Sequence, residues 1–335
     1  MDNLGVILLN MGGPTSLDAV RPFLRNLFLD KEIISFGPME FARKPLANFI
    51  AKRRSEIVKR NYEMIGGKSP LAEISRRQAD ALEIALREHF GEGLRIRAEL
   101  GFSYWHPFIE EAMHALDREG FTRIFLMPLY PHYSKTTSGS CFKTWRNLQR
   151  GNAGTKPRVL SVKSYHCDAA YISSINARIE EALASFPAER RSAVHLLFSA
   201  HGTPVKLVEQ GDPYSFEIRR TVDAVMAVRG NDLPHHLSFQ SKVGPAKWLQ
   251  PDTVKKTEEL AAAGVRDLLV VPVAFVSDHI ETLHELNIEL RREATHRGVE
   301  NFVVMPGLNE SALFIASLAE QIRKRVERRI NLEKT

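Results

Sequence analysis

The stretch from Phe275 to Glu289, FVSDHIETLHELNIE, carries Asp278, His279, Glu281, Glu285 and Glu289. In a helix capped by Ser277, a step of roughly 100° per residue sets Asp278, Glu281, Glu285 and Glu289 within about 80° of one another. Leu283, Leu286 and Leu290 form a separate apolar stripe that can pack inward. Like charges at i, i+4 destabilise a bare helix, and no Lys or Arg lies between Val276 and Leu290 to offset them. A solvated acidic face is the plain alternative, and two features argue against it. The ridge follows DLLVVPVAF, which reads as a buried strand, so it begins where open α/β sheets bind ligands. It also keeps His279 in the same turn as Glu281. Carboxylates with an imidazole suit a divalent cation or proton transfer.

A second constellation is LLFSAHGTPV, a buried strand running into Ser199-Ala200-His201-Gly202. A lone histidine is usually a satisfied core or surface residue. His201 gains weight because it ends a strand in the same half of the chain as the acidic ridge. LNMGGPTS at 9–16 lacks the glycine spacing and the lysine of a phosphate loop. It reads instead as backbone lying close to a ligand, with Met11 as an adaptable apolar contact.

These residues need rigid elements behind them. Strand-like runs fall at 6–10, 95–101, 123–129 and 158–162, then at 194–199, 236–240, 267–275 and 302–305. Amphipathic stretches at 75–90, 108–119, 168–185 and 252–263 lie between them, and that alternation predicts βαβ units and parallel sheets. The two halves also repeat. Pro107, Gly120 and Pro128 recur at an offset of 144 as Pro251, Gly264 and Pro272. Two related lobes facing each other would leave a cleft lined by strand ends. Pro128 and Pro272 fall inside predicted strands, and a missing ladder donor points to edges or bulges there.

At 335 residues with a net charge of +6, the chain is long enough for two domains or one large α/β domain. No apolar run approaches the ~20 residues that span a bilayer. The start, MDNLGVILLN, enters a strand without a basic leader, which predicts a cytoplasmic protein or one on the inner face of the membrane. Two cysteines, Cys141 and Cys167, cannot build a four-thiolate site alone. Residues 43–60 hold seven basic side chains against one Glu. They lack interleaved aromatics and any nucleic-acid motif, so no nucleic-acid partner is expected. Ile33, Ile34, Phe36, Met39 and Phe41 just precede them, and such a pairing suits anionic lipid or a greasy ligand bearing carboxylates. A helix buried on one side and solvated on the other is the plain alternative.

LLNMGGP, FIAKRR, IGGKSP, LYPHYS, LFSAHGTP, QSKVGPAKWL and VAFVSDHIETLHELNIE, in this order, resemble ferrochelatases, which insert ferrous iron into a porphyrin to finish haem synthesis. The resemblance runs from Leu4 to Leu318. It implies an α/β fold of two similar Rossmann-like lobes, each a four-stranded parallel sheet flanked by helices, with a porphyrin cleft between them. The lobes would be 1–165, including a hydrophobic lip, and 166–306, with 307–335 as a helix returning to the first. By position, His201 matches the family's active-site histidine and Glu281 its partner carboxylate, both catalytic and both near the metal. Asp278, His279, Glu285 and Glu289 match a path for metal or protons. Met11, Tyr104, Val243, Trp248 and Phe275 match residues lining the macrocycle. Residues 33–50 match the lip, which touches lipid in membrane-associated members, so anionic membrane is an expected partner of 33–60.

Protoporphyrin IX and Fe²⁺ are the implied substrates, because LNMGGP replaces the tyrosine-containing version of some coproporphyrin III enzymes. Ser103 stands where animal enzymes have an arginine. The chain ends at Thr335 without their cysteine-bearing tail, so no [2Fe–2S] cluster and no resident cofactor are expected. Metallation must strip two pyrrole protons, and a neutral imidazole of ordinary pKa near 6.5 can accept one. The alternatives are a coproporphyrin III ferrochelatase, a cobalt or nickel chelatase, and a non-catalytic tetrapyrrole or metal carrier.

Overall fold

Short runs rich in Val, Ile and Leu suit the strands of parallel sheets, the central ones buried on both faces and the edge ones partly open. The computed structural model, which describes residues 2–34, 36–151, 156–241 and 246–334, has eight of them. The first four are β1 (Asp2–Asn10), β2 (Leu94–Phe102), β3 (Arg123–Pro128) and β4 (Arg158–Ser161). They form a parallel sheet in the order β2-β1-β3-β4. The second four are β5 (His195–His201), β6 (His235–Gln240), β7 (Asp267–Val271) and β8 (Asn301–Val304). Their sheet is also parallel, in the order β6-β5-β7-β8. The two orders are the same pattern shifted by four strands, which is the repeat visible in the sequence.

The chain divides into two compact units, one of Met1–Tyr130, Ser134–Lys163 and Ile315–Thr335, the other of Pro131–Tyr133 and Ser164–Phe314. In the first, Ile7 and Leu9 of β1 pack with Ile109, Met113 and Leu116 of helix Ile109–Arg118. The final helix, Ala312–Lys334, touches the helix Leu71–Phe90 through His89 and Glu327, 2.8 Å apart. In the second, Leu197, Leu268 and Val270 of the sheet meet Leu260 and Ala261 of helix Thr253–Ala262 and Leu286 and Leu290 of the ridge helix. Asp252 starts Thr253–Ala262 by accepting from the backbone N–H groups of Val254 and Lys255 at 3.0 and 3.2 Å.

Three expectations change. Pro128 and Pro272 mark neither edges nor bulges. Pro128 is the last residue of β3, an interior strand, and β7 ends at Val271, four residues before the expected Phe275. A residue with no N–H is tolerated where the ladder stops. Ser277 does not cap the ridge helix, which begins at Glu281 and runs to Leu290 with the wider π-type turn. Arg43 is no part of the basic surface. It is buried, and its guanidinium is taken up by Glu40 and by the carbonyls of Phe28 and Ile34.

The helix Arg43–Glu63 buries Ala47, Ala51 and Ser55 at four-residue spacing, and helix Val20–Leu29 packs against it. Its other side and the turn before it present Phe41, 91% exposed, with Met39 and Phe49 more than half exposed. Among the described residues no helix is long and apolar enough to cross a membrane.

Candidate active site

β5 pairs with β6 on one side and β7 on the other. The order reverses at β5–β7, the place in an open α/β sheet where strand ends leave room for a ligand. His201 is the last residue of β5, and the segment leaving β7 carries Phe275, His279 and Glu281. Just after His201 the backbone stays close to the neighbouring strand β6. The Gly202 N–H donates to the Gln240 carbonyl at 2.7 Å, and a Cβ at Gly202 would lie 2.6 Å from that oxygen, so only glycine fits. The Tyr214 hydroxyl donates to the His201 carbonyl at 3.0 Å and fixes the peptide from the other side.

His201 Nδ1 donates to Glu281 Oε2 at 2.7 Å. Its Nε2 makes no hydrogen bond among the described residues, and 39% of the side chain is open. Phe275 stands edge-on to the His201 ring at 6.3 Å and lies against the His279 ring at 4.4 Å. Glu281 Oε2 also accepts from the Ser241 hydroxyl at 3.1 Å, with the Gln240 amide 3.5 Å away. Gln240 is oriented by a buried chain of hydroxyls. Ser199 donates to its Oε1 at 2.7 Å and is joined to the Thr253 hydroxyl, which in turn donates to Ser238. The same Ser241 hydroxyl lies 2.5 Å from Glu285 Oε2. One hydroxyl therefore joins two carboxylates four residues apart, which lie about one turn from each other on the ridge helix.

Burial disfavours charge at all three groups, and the pairing decides which keeps it. His201 is raised above its ordinary pKa: burial opposes its charge, but Glu281 and, further off, Glu285 outweigh it. Glu281 is held well below the carboxylate range, burial again being overcome by His201 and His279. Glu285 goes the other way. Burial and the Glu281 charge push it up to about 7, although Ser241 stabilises its ionised form. The Glu281 carboxylate thus strengthens His201 as a base beside a carboxyl group that titrates near neutrality, a geometry in which the neutral ring can accept a proton at Nε2 and hand it on.

The remaining predicted residues fall into separate places. His279 is buried, with Nδ1 donating to the Ser277 carbonyl at 3.2 Å and Nε2 3.7 Å from Glu281 Oε1. Asp278 turns away toward Gly307 and Asn309, and Glu289 is half exposed beside His284. Met11 and Tyr104 meet in the first unit, where the Tyr104 N–H donates to the Met11 carbonyl at 3.0 Å. The Tyr104 hydroxyl is spent on Asp30 at 2.7 Å, and burial followed by that carboxylate raises its pKa far above the phenol range. Trp248 pairs its backbone with Pro204, three residues beyond His201. Val243 lies outside the described residues. No group of three or more His, Cys, Asp or Glu side chains among the described residues is arranged to hold a metal ion.

Ser241, Gln240 and Tyr214 belong to this site and were not singled out in the sequence. Gln240 and Ser241 end a buried strand with two polar residues, the same signal that drew attention to His201.

The architecture is that of the chelatases. SirB from Bacillus subtilis with Fe³⁺ superposes with a TM-score of 0.56 at 12% identity, covering 97% of this chain and 96% of that one. The sirohydrochlorin chelatase SirB of B. subtilis subspecies spizizenii in complex with cobalt gives 0.52 at 10% identity, covering 98% and 96%. The ferrochelatase family model matches residues 3–326. A ferrochelatase of Trichodesmium erythraeum is 43% identical over 98% of this chain and 84% of its own length, and one of Geotalea uraniireducens 43% over 97% and 98%. One of Geobacter metallireducens is 44% identical over 96% and 98%. The chain belongs to the ferrochelatase family. It is an enzyme, a metal–porphyrin lyase that inserts iron into a porphyrin in haem synthesis.

Proposed function

We propose that the porphyrin is protoporphyrin IX and that Nε2 of a neutral His201 takes one pyrrole proton at a time as Fe²⁺ displaces the two, passing the first on before it accepts the second. The observation that carries this reading is the Nδ1–Glu281 bond of 2.7 Å, which leaves Nε2 without a partner among the described residues. As Nε2 gains a proton, Glu281 stabilises the imidazolium, so the base is strengthened where charge develops. Glu285, poised near 7, is the next group along the acidic helix and can pass protons outward. His201 and Glu281 are also the nitrogen and oxygen donors nearest the incoming iron, and such a sparse set suits a metal that must be released. His279 and Glu289 complete the proposed path. Phe275, Trp248, Met11 and Tyr104 are the proposed macrocycle contacts, Tyr104 through its ring because its hydroxyl is occupied.

No resident cofactor enters this scheme. Cys141 is buried and pushed up to about 11 by that burial, unlike a thiolate ligand. Membrane contact through residues 33–60 is part of the same proposal, supported by exposed Met39, Phe41 and Phe49 beside exposed Lys44, Lys52, Arg53 and Arg54.

The test is anaerobic incubation with Fe²⁺ and, in parallel, protoporphyrin IX or coproporphyrin III, following loss of free-base fluorescence. Faster metallation of protoporphyrin IX is expected. Preference for coproporphyrin III would reassign the substrate, and binding without metallation would favour a carrier.

A further inference from the structure

Asp278 sits between the end of β7 and the ridge helix, and its carboxylate is nearly saturated by protein donors. Oδ1 accepts from the Gly307 N–H at 3.1 Å and the Thr282 hydroxyl at 3.2 Å, and Oδ2 accepts from the Asn309 amide at 2.8 Å. A carboxylate has about four acceptor positions, so three of them are filled. Asn309 returns the contact: its Oδ1 accepts from the Asp278 N–H at 3.0 Å, and its N–H donates to the Val276 carbonyl at 2.8 Å.

This two-sided clasp ties residues 276–278 to the loop after β8, and the loop is shaped for it. Asn309 holds a left-handed φ of +45°, which short polar side chains tolerate. A Cβ at Gly307 would fall 2.8 Å from the Asp278 nitrogen, 2.9 Å from Asn309 Oδ1 and 3.0 Å from the Ser277 carbonyl carbon. On the helix side, Thr282 receives the His279 N–H at 3.1 Å while reaching Asp278. The segment leading into Glu281 is therefore fixed to a loop 29 to 31 residues further along the chain, and not by a cap of the helix itself.

We propose that Asp278 is a positioning residue that holds the first turn of the ridge helix so that Glu281 meets His201, and that it is no station for metal or protons. The inference rests on the proposed roles of His201 and Glu281. A cation or a proton carrier at Asp278 would have to displace Asn309 or Gly307, and each displaced bond would loosen the segment that presents Glu281.

The experiment exchanges the two partners. Asp278→Asn keeps the shape but sets an amide against the Asn309 amide, donor facing donor. A misplaced Glu281 should lower kcat for Fe²⁺ insertion about 10- to 100-fold with little change in KM for iron. Adding Asn309→Asp restores a carboxylate–amide bridge with the charge moved to position 309. The double variant should recover kcat to within about threefold of the parent, the coupling expected of contacting residues. Asn309→Ala loosens the clasp without touching Asp278 and should lower kcat in the same direction.

A second readout is independent of turnover. The NMR signal of the His201 Nδ1–H in its bond to Glu281 should weaken in Asp278→Asn and Asn309→Ala and return in the double variant. If the wild type metallates nothing, the assigned function fails, while this signal still decides the positioning role. A double variant as slow as Asp278→Asn with a normal His201 signal would overturn the proposal, because the charge would then be needed at position 278. So would Asn309→Ala with unchanged kcat and unchanged signal.

Discussion

His201, Glu281 and Glu285 share one acceptor–donor chain, yet each answers burial differently. His201→Ala removes the proposed acceptor and should cut insertion of every metal by the ~10²–10⁴-fold typical of a lost general base. Glu281→Gln should fall nearby, because it removes the countercharge 2.7 Å from Nδ1. Porphyrin binding, followed by fluorescence titration, should persist in both. Full activity in His201→Ala, or a melting temperature low enough to explain its inactivity, would remove the base from its role.

Glu285 makes a separate prediction about pH. Its folded pKa stands near 7 against an ordinary 4.5, so between those values the native protein holds a proton that the unfolded chain has released. Stability from this group is full at low pH and declines as pH rises through 7. Glu285→Gln should match the wild type near pH 4 and exceed it at pH 8 by about 1–3 kcal/mol. Denaturation curves at the two pH values decide it. In steady-state kinetics the same change should raise KM for Fe²⁺ or lower kcat modestly, since other members of the path remain.

At the scale of elements, the ridge helix departs most from its sequence pattern. An α-helical step places Asp278, Glu281, Glu285 and Glu289 on one ridge. The wider turn keeps 281 and 285 together, leaves Glu289 half exposed and turns Asp278 into a link to the loop after β8. Hydrophobic period alone does not distinguish the two turns, because Leu286 and Leu290 face the sheet in either.

The helix Arg43–Glu63 and the turn before it set an apolar run beside a basic one, and Ile33, Met39, Phe41, Lys44, Lys52, Arg53, Arg54 and Arg60 are exposed, while Ile34, Phe36 and Lys59 are half-buried and Arg43 is buried. Sedimentation with anionic vesicles should occur at low salt and fade as salt rises. Replacing Phe41 and Phe49 together with Ser should abolish it while leaving metallation of a detergent-dispersed porphyrin intact. Absence of sedimentation at low salt would confine these side chains to porphyrin entry.

For the whole molecule, the sequence by itself determined the parallel α/β class and the duplication. Buried strands announce themselves by uninterrupted Val, Ile and Leu, and a duplicated unit repeats its helix-ending glycines and strand-ending prolines at a constant offset. It also determined the family, through long motifs that include His201 and Glu281. The tertiary structure decided what depends on distance between segments far apart in sequence. Position 241 reaches 281 and 285 only because β6 lies beside β5, and Asp278 meets Asn309 only because β8 lies beside β7. Which carboxylate keeps its charge is settled the same way, since a pKa answers to burial and to neighbours in space, and a linear pattern of acidic residues carries neither.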